Sequence, residues 1–219
     1  MTSRLKNKIL QTQIIHPNKT SIVVAPGVHK EAIKIVLDSF ERTGLSAITG
    51  LDLGEKIDLL YHMRIEDALI TIRTSLPKQK PEIESITDIV PGANFHEREV
   101  ADLLGVTFLN HPSPKKLILP DDWPENLFPL RKNVDLTAIK NIPPSKNSVS
   151  LKAKEKIDFE NEISVKLFFG PQHPAMIEPE RFLLKVDGET VVDVEPRIGY
   201  VHRGIEKATE RRTYIQNIY

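Results

Sequence analysis

The chain has 219 residues, 30 Lys and Arg against 30 Asp and Glu, a formal net charge of zero and no cysteine. A hydrophobic content of 40% is enough to build cores, and the length allows one large domain or two smaller ones. Zero net charge gives no electrostatic reason to expect nucleic acid as a partner, and a chain without cysteine holds no thiolate-ligated iron–sulfur cluster, zinc or nickel, no disulfide and no cysteine nucleophile. No apolar run approaches the roughly 20 residues that cross a bilayer. The basic start, Met1 to Lys6, lacks the apolar segment of a signal peptide, so composition predicts a soluble, intracellular protein.

In chain order, Thr20 to Ala25 (TSIVVA) reads as a short strand closed by Pro26-Gly27. His29 to Thr43 places Ile33, Val36, Leu37 and Phe40 at helical spacing, and Gly44 is the expected stop. Leu45–Leu53, Lys56–Ile65 and Ala68–Leu76 are apolar runs parted by short polar breaks, the pattern of antiparallel strands joined by tight turns. A second helix is expected from Asn94 to Leu104, with Asn94 and Glu97 as a capping box and Gly105 as its end. Repeated proline at 112, 114, 120, 124 and 129 rules out a regular helix over 110–132 and suggests an extended arm. Residues 136–160 are polar, lysine-rich and read as a linker.

Beyond the linker, Ile163–Phe169 reads as a strand, and Arg181–Val186 with Glu189–Val194 flank Asp187-Gly188 as a hairpin. His202 to Tyr219 is helical by propensity, with Ile205, Ala208, Arg212, Ile215 and Tyr219 on one face. A hairpin and one helix bury little core, so this piece must pack on something else. The expected fold class is α+β, with domains at 1–135 and 161–219.

Four constellations concentrate polar chemistry. On the Asn94–Leu104 helix, Glu97, Arg98, Glu99 and Asp102 read as a solvated, ion-paired face. His111 to Trp123, followed by Pro129-Leu130-Arg131-Lys132, reads either as a structural arm anchored by the single tryptophan or as a docking arm for a partner. Gly170 to Arg181 joins two strands through three prolines, His173, Glu178 and Glu180, more than a plain turn requires. Arg197 to Lys207 gathers ionisable groups at a helix start, and Arg212 on an inward stripe would need a buried acceptor.

At these residues the chain resembles two neighbouring subunits of respiratory complex I and its relatives. Glu97 to Leu119 (EREVADLLGVTFLNHPSPKKLIL), Trp123 and Pro129-Leu130-Arg131-Lys132 resemble the 30 kDa, or C-type, subunit family. Gly170–Pro174 (GPQHP), Asp187-Gly188-Glu189, Gly199-Tyr200 and His202–Lys207 (HRGIEK) resemble the start of the adjoining 49 kDa, or D-type, subunit family, which is related to the large subunit of nickel–iron hydrogenases. The resemblance implies a fusion of the two, the second part being the first hairpin and helix of the large-subunit fold. Quinone-reducing members carry a second His and a Gly where this chain has Ile177 and Glu178, so the loop fits the membrane-bound, energy-converting hydrogenase branch. In that branch a Cys-x-x-Cys motif is expected after a segment like the one ending at Tyr219.

The resemblance implies a peripheral-arm subunit on the cytoplasmic side of a membrane, not catalytic alone, that scaffolds electron transfer and contributes a proton-relay loop. Glu178 is the expected relay, with His173, Arg203 and Glu206 as catalytic-site residues and Tyr200 and His202 near an acceptor or metal. Glu97, Arg98, Glu99, Asp102, His111, Lys116, Trp123 and Arg131 are expected at subunit interfaces. This chain by itself is expected to bind no cofactor or metal. A nickel–iron centre and an iron–sulfur cluster belong to the assembled complex, whose other parts are the rest of the large subunit, an iron–sulfur small subunit and ion-pumping membrane subunits. The alternatives are the C/D-type subunit of an NADH–quinone-type dehydrogenase, with quinone and NAD binding by family, or a non-catalytic assembly module.

Overall fold

A computed structural model describes residues 8–135 and 165–218, with 137, 139 and 142 individually. The linker expected at 136–160 and the position of Tyr219 lie outside the described residues, apart from those three positions. The chain forms two compact units. The first takes the described residues of Met1–Lys115 and Phe128–Val134, and the second those of Lys116–Leu127 and Asp135–Tyr219.

In the first unit, β1 (Ile9–His16), β2 (Lys19–Val24), β3 (Thr43–Asp52), β4 (Lys56–Ile65) and β5 (Ala68–Pro77) form one sheet in the order β1-β2-β5-β4-β3. All neighbours are antiparallel except β2 and β5. That parallel pair needs a crossover, and α1 (His29–Ser39), β3 and β4 supply it. Alternation along β4 puts Ile57, Leu59, Tyr61, Met63 and Ile65 on the buried face. Ile33 and Val36 of α1 and Val100 and Leu104 of α2 (Ala93–Leu104) join the same core. A short parallel pair, β6 (Glu82–Glu84) with β7 (Thr107–Leu109), flanks it.

Two expectations of the first unit are corrected. The first helix ends at Ser39, not Thr43, because Phe40 turns extended and Thr43 and Gly44 are taken into β3 opposite Ile65 and Arg64. The second has Gly92 at its N-cap with no side-chain cap, so there is no Asn94–Glu97 capping box. The sequence patterns do not mark β1, which is exposed along almost its whole length, or β6 and β7, which are three residues each.

The second unit holds a three-stranded antiparallel sheet, ordered β10-β9-β8: β8 (Val165–Phe169), β9 (Arg181–Asp187) and β10 (Thr190–Arg197). The helix expected over 202–219 is only α3 (Ile205–Thr209), preceded by a 3-10 turn at Gly199–Val201 and followed by another at Ile215–Asn217. Ile205 and Ile215 are exposed, and so is Arg212. There is no inward stripe, and Arg212 needs no buried acceptor. Between 165 and 218 the only buried residues are Pro196 and Lys207, so nothing there forms a core of its own.

Candidate functional site

The loop from Gly170 to Glu180 is stiff at its base and open at its tip. Gly170 has φ +86°, and a Cβ on it would lie 1.9 Å from the Glu180 carbonyl oxygen, so only glycine lets the two ends meet. The His173 ring packs on Phe169 with centroids 3.8 Å apart. Its Nδ1 accepts the Ala175 N–H at 3.2 Å, and its carbonyl accepts the Met176 N–H at 3.0 Å. Beyond these bonds Ile177 is fully exposed, and Glu178 is exposed beside it. Among the described residues nothing buries the Glu178 carboxyl.

A second group is built where the proline-rich segment meets the end of β10, all within the second unit. The Arg197 guanidinium donates to the Lys116 carbonyl and reaches Asp121 at 3.0 Å and Glu195 at 3.3 Å. The Ile198 N–H donates to the Leu117 carbonyl at 3.4 Å. A Cβ on Gly199 would sit 1.7 Å from the Ile118 carbonyl oxygen, so the two backbones touch where no larger residue fits. Leu117 and Leu119 are buried. Lys116 Nζ donates to the Trp123 carbonyl at 2.8 Å, and Trp123 Nε1 to the Leu127 carbonyl at 2.6 Å. These two expected interface residues therefore fold the segment on itself.

The same junction makes a small open pocket. Ile118, Ile198, Val201 and Ile205 give it apolar walls, and His202, Arg203 and Glu206 line it as well. The structure thus brings together three of the expected site residues. Tyr200 is half exposed and lines no part of it, and His173 and Glu178 belong to the separate 170–180 loop. Ile118 and Arg197 were not singled out as site residues by the sequence. Both depend on a contact across some eighty positions, which no local motif reports.

The charged face of α2 is corrected outright. Glu97 is fully buried, accepting the Ser85 hydroxyl at 2.6 Å and the Ile86 N–H at 2.8 Å. Burial pushes its carboxyl above the usual glutamate range, against the pull of those donors. Arg98 is buried and donates from Nε to the Lys115 carbonyl at 2.7 Å; Asp102 is buried and Glu99 half-buried. His111 is enclosed, with Nδ1 accepting the Ser113 N–H at 3.1 Å and Nε2 at 3.3 Å from the Asn94 carbonyl. Burial lowers its pKa. Arg131 donates from Nε to the Leu104 carbonyl at 2.8 Å and stacks over Phe128 at 4.6 Å. A solvated face fails here because the 85–87 turn and the 107–115 segment close over the helix and supply its partners.

Among the described residues no three His, Asp or Glu side chains gather as a metal site, and the sequence has no cysteine. The residues present do not fit the ligand set of a nickel–iron centre or a thiolate-held iron–sulfur cluster. No helix among the described residues is long and apolar enough to cross a membrane.

A mostly antiparallel sheet with helices packed on one face, followed by a coreless hairpin unit that carries its polar groups on loops, defines an α+β subunit. Residues 22–140 match the family described as the respiratory-chain NADH dehydrogenase 30 kDa subunit, and the chain belongs to that family. It is 33% identical over 214 residues to the C/D subunit of an NADH-quinone oxidoreductase from Phocaeicola vulgatus, covering 90% of this chain and 40% of the relative. It is 40% identical over 147 residues to formate hydrogenlyase subunit 5 of Escherichia coli K12, covering 65% of this chain and 25% of the relative. The chain thus spans well under half the length of these relatives. A chain of the membrane-bound sulfane sulfur reductase, an archaeal respiratory membrane complex, shares the fold with a TM-score of 0.55 at 23% identity, over 64% of this chain and 85% of that one.

Proposed function

We propose that this chain is the C/D-type portion of a membrane-bound, energy-converting hydrogenase-type oxidoreductase, with the first unit as scaffold and the 170–180 loop as a proton relay. The observation that carries this reading is the loop itself: a braced base that holds Ile177 and Glu178 out from the chain. A stiff loop with an apolar and an acidic residue at its tip suits insertion into a neighbouring part of an assembly. Likeness to a hydrogenlyase subunit, and Ile177-Glu178 in place of His-Gly, favour the hydrogenase branch.

In that setting Glu178 is the proton carrier. Enclosure by the rest of the large subunit would raise its carboxyl pKa towards the working range, where a carboxylate both takes and gives a proton. A nickel–iron centre, when present in the assembly, supplies the hydrogen chemistry from ligands outside this chain. His202, Arg203 and Glu206, which line one small pocket, would face the iron–sulfur small subunit in this reading. The remaining partners are the ion-pumping membrane subunits, with this chain peripheral on the cytoplasmic side.

The test is Glu178→Gln in the assembled complex. Hydrogen turnover should fall at least ~100-fold, as for loss of a positioned proton carrier, with assembly intact. Unchanged turnover would remove the relay. The second reading, reduction of a quinone near His173 and Tyr200, draws on the likeness to the C/D relative over most of the chain. It predicts quinone-dependent activity that Glu178→Gln leaves untouched.

A further inference from the structure

The chain contains three His-Pro-x segments; His16-Pro17-Asn18 makes the β1–β2 turn, and the other two, His111-Pro112-Ser113 and His173-Pro174-Ala175, share one construction. In each of these two, the ring Nδ1 accepts the backbone N–H two residues on, at 3.1 Å in the first and 3.2 Å in the second. Proline at the middle position presets φ and has no N–H to compete for the ring. A nitrogen that accepts a hydrogen bond carries no proton, so each neutral imidazole has its hydrogen on Nε2. In the first turn that hydrogen has a use: His111 Nε2 donates to the Asn94 carbonyl at 3.3 Å. In the second turn Nε2 has no hydrogen-bond partner among the described residues, and the ring packs on Phe169 at a tilt of 34°.

We propose that His173 is a positioning residue locked by its His-Pro-x turn as the Nε2–H tautomer. It enters the site as a fixed hydrogen-bond donor to an acceptor oxygen from outside the chain, and not as a proton acceptor or metal ligand. The same Nδ1 bond, with the His173 carbonyl bond to Met176, sets the path of the chain into Ile177 and Glu178. The consequence for proton transfer rests on the relay reading above; the tautomer and the brace do not. Carboxylate and carbonyl oxygens share the chemistry that Nε2–H recognises.

Two measurements on the full chain test this. Long-range nitrogen–proton correlation spectra of the histidine rings should show an unprotonated Nδ1 and a protonated Nε2 at His173, matching His111 as an internal standard. An Nδ1–H tautomer at His173 would overturn the proposal. In amide exchange, His173→Leu keeps an apolar side chain over Phe169 but removes the acceptor, so Ala175 should exchange roughly fivefold to tenfold faster, the loss of about one net hydrogen bond. His173→Asn, whose side-chain oxygen reaches the same N–H as an Asx turn, should restore the slow rate. Equal Ala175 exchange in all three proteins would sink the brace. Neither readout needs turnover, so failure here leaves the relay standing, and failure of Glu178→Gln leaves the brace standing.

Discussion

Valine and leucine meet opposite fates in the two units. On β4, Leu59 and Met63 are wholly buried, and α1 and α2 lie over that face of the sheet. On β10, Val191, Val192 and Val194 stay 44–54% exposed, and on β8 Phe168 is 64% exposed, in strands as regular as those of the first unit. The difference is that no element among the described residues covers those faces in the second unit. A sheet face gains the hydrophobic term only when another element covers it. The first unit closes on its own residues. The second is held by specific polar contacts to Arg197 and by the buried Leu117 and Leu119, and it keeps its apolar side chains and the tip of the 170–180 loop open.

The largest expected effect breaks the closed side. Leu59→Ala should cost about 2–5 kcal/mol in urea unfolding, because a filled core site becomes a cavity. Asp52 comes next. Its buried carboxylate accepts Lys78 Nζ at 2.8 Å, the Lys132 N–H at 2.8 Å and the Gly54 N–H at 2.9 Å, tying the 128–134 segment to the sheet. Asp52→Asn should cost about 1–3 kcal/mol at neutral pH.

The pH dependence sharpens the same point. Burial alone would raise the Asp52 carboxyl, but Lys78 and the two N–H donors outweigh it and hold it below the usual range. Its stabilisation is therefore present above the unfolded value and is lost as pH falls through the lower folded one. The raised Glu97 has the opposite sign: its contribution weakens as pH climbs from the usual glutamate value through the higher folded one. Glu97→Gln should flatten that upper slope and leave the acid limb, and an unchanged slope would show that Glu97 is not its source.

On the open side the effects are local and small. Gly199→Ala should displace the Ile118 backbone, raising amide exchange across 116–121 about tenfold, or ~1.4 kcal/mol, with little change in the main unfolding midpoint. A shift of the whole transition would mean that the two units unfold as one. Smallest of all, Val192→Ala should cost less than about 0.5 kcal/mol in this chain. A cost comparable to Leu59→Ala would mean that β10 is covered and the contrast between the units is wrong.

Much of the first unit was legible because β3, β4 and β5 are β-branched and apolar-rich runs and because short polar breaks separate them. The hydrophobic period says which face of an element is buried, and that is a local property. It misled at Glu97, whose spacing fits a capping box while its real partners, Ser85 and Ile86, sit on another segment. It misled again over 202–219, where propensity favours one long helix but the described residues form only the short α3 and one 3-10 turn, Ile215–Asn217. The loop motif at 170–180 was legible as unusual, since three prolines, a histidine and two carboxylates exceed the needs of a connection. That its base is braced through Nδ1 of His173 was not, because a tautomer follows from hydrogen-bond geometry.

By itself, the sequence determined that no cysteine thiolate belongs to this chain, that β3, β4 and β5 lie side by side, and that 170–180 and 197–207 gather prolines and ionisable residues. These follow from composition and from periods of a few residues. Only the tertiary structure decided that Ile118 shares a pocket with His202, Arg203 and Glu206, that Lys116–Leu127 groups with the second unit, and that the acidic face of α2 is internal. Each of these turns on which distant backbone carbonyl, N–H or side chain arrives to satisfy a polar group, and burial of charge is tolerable only where that partner is present.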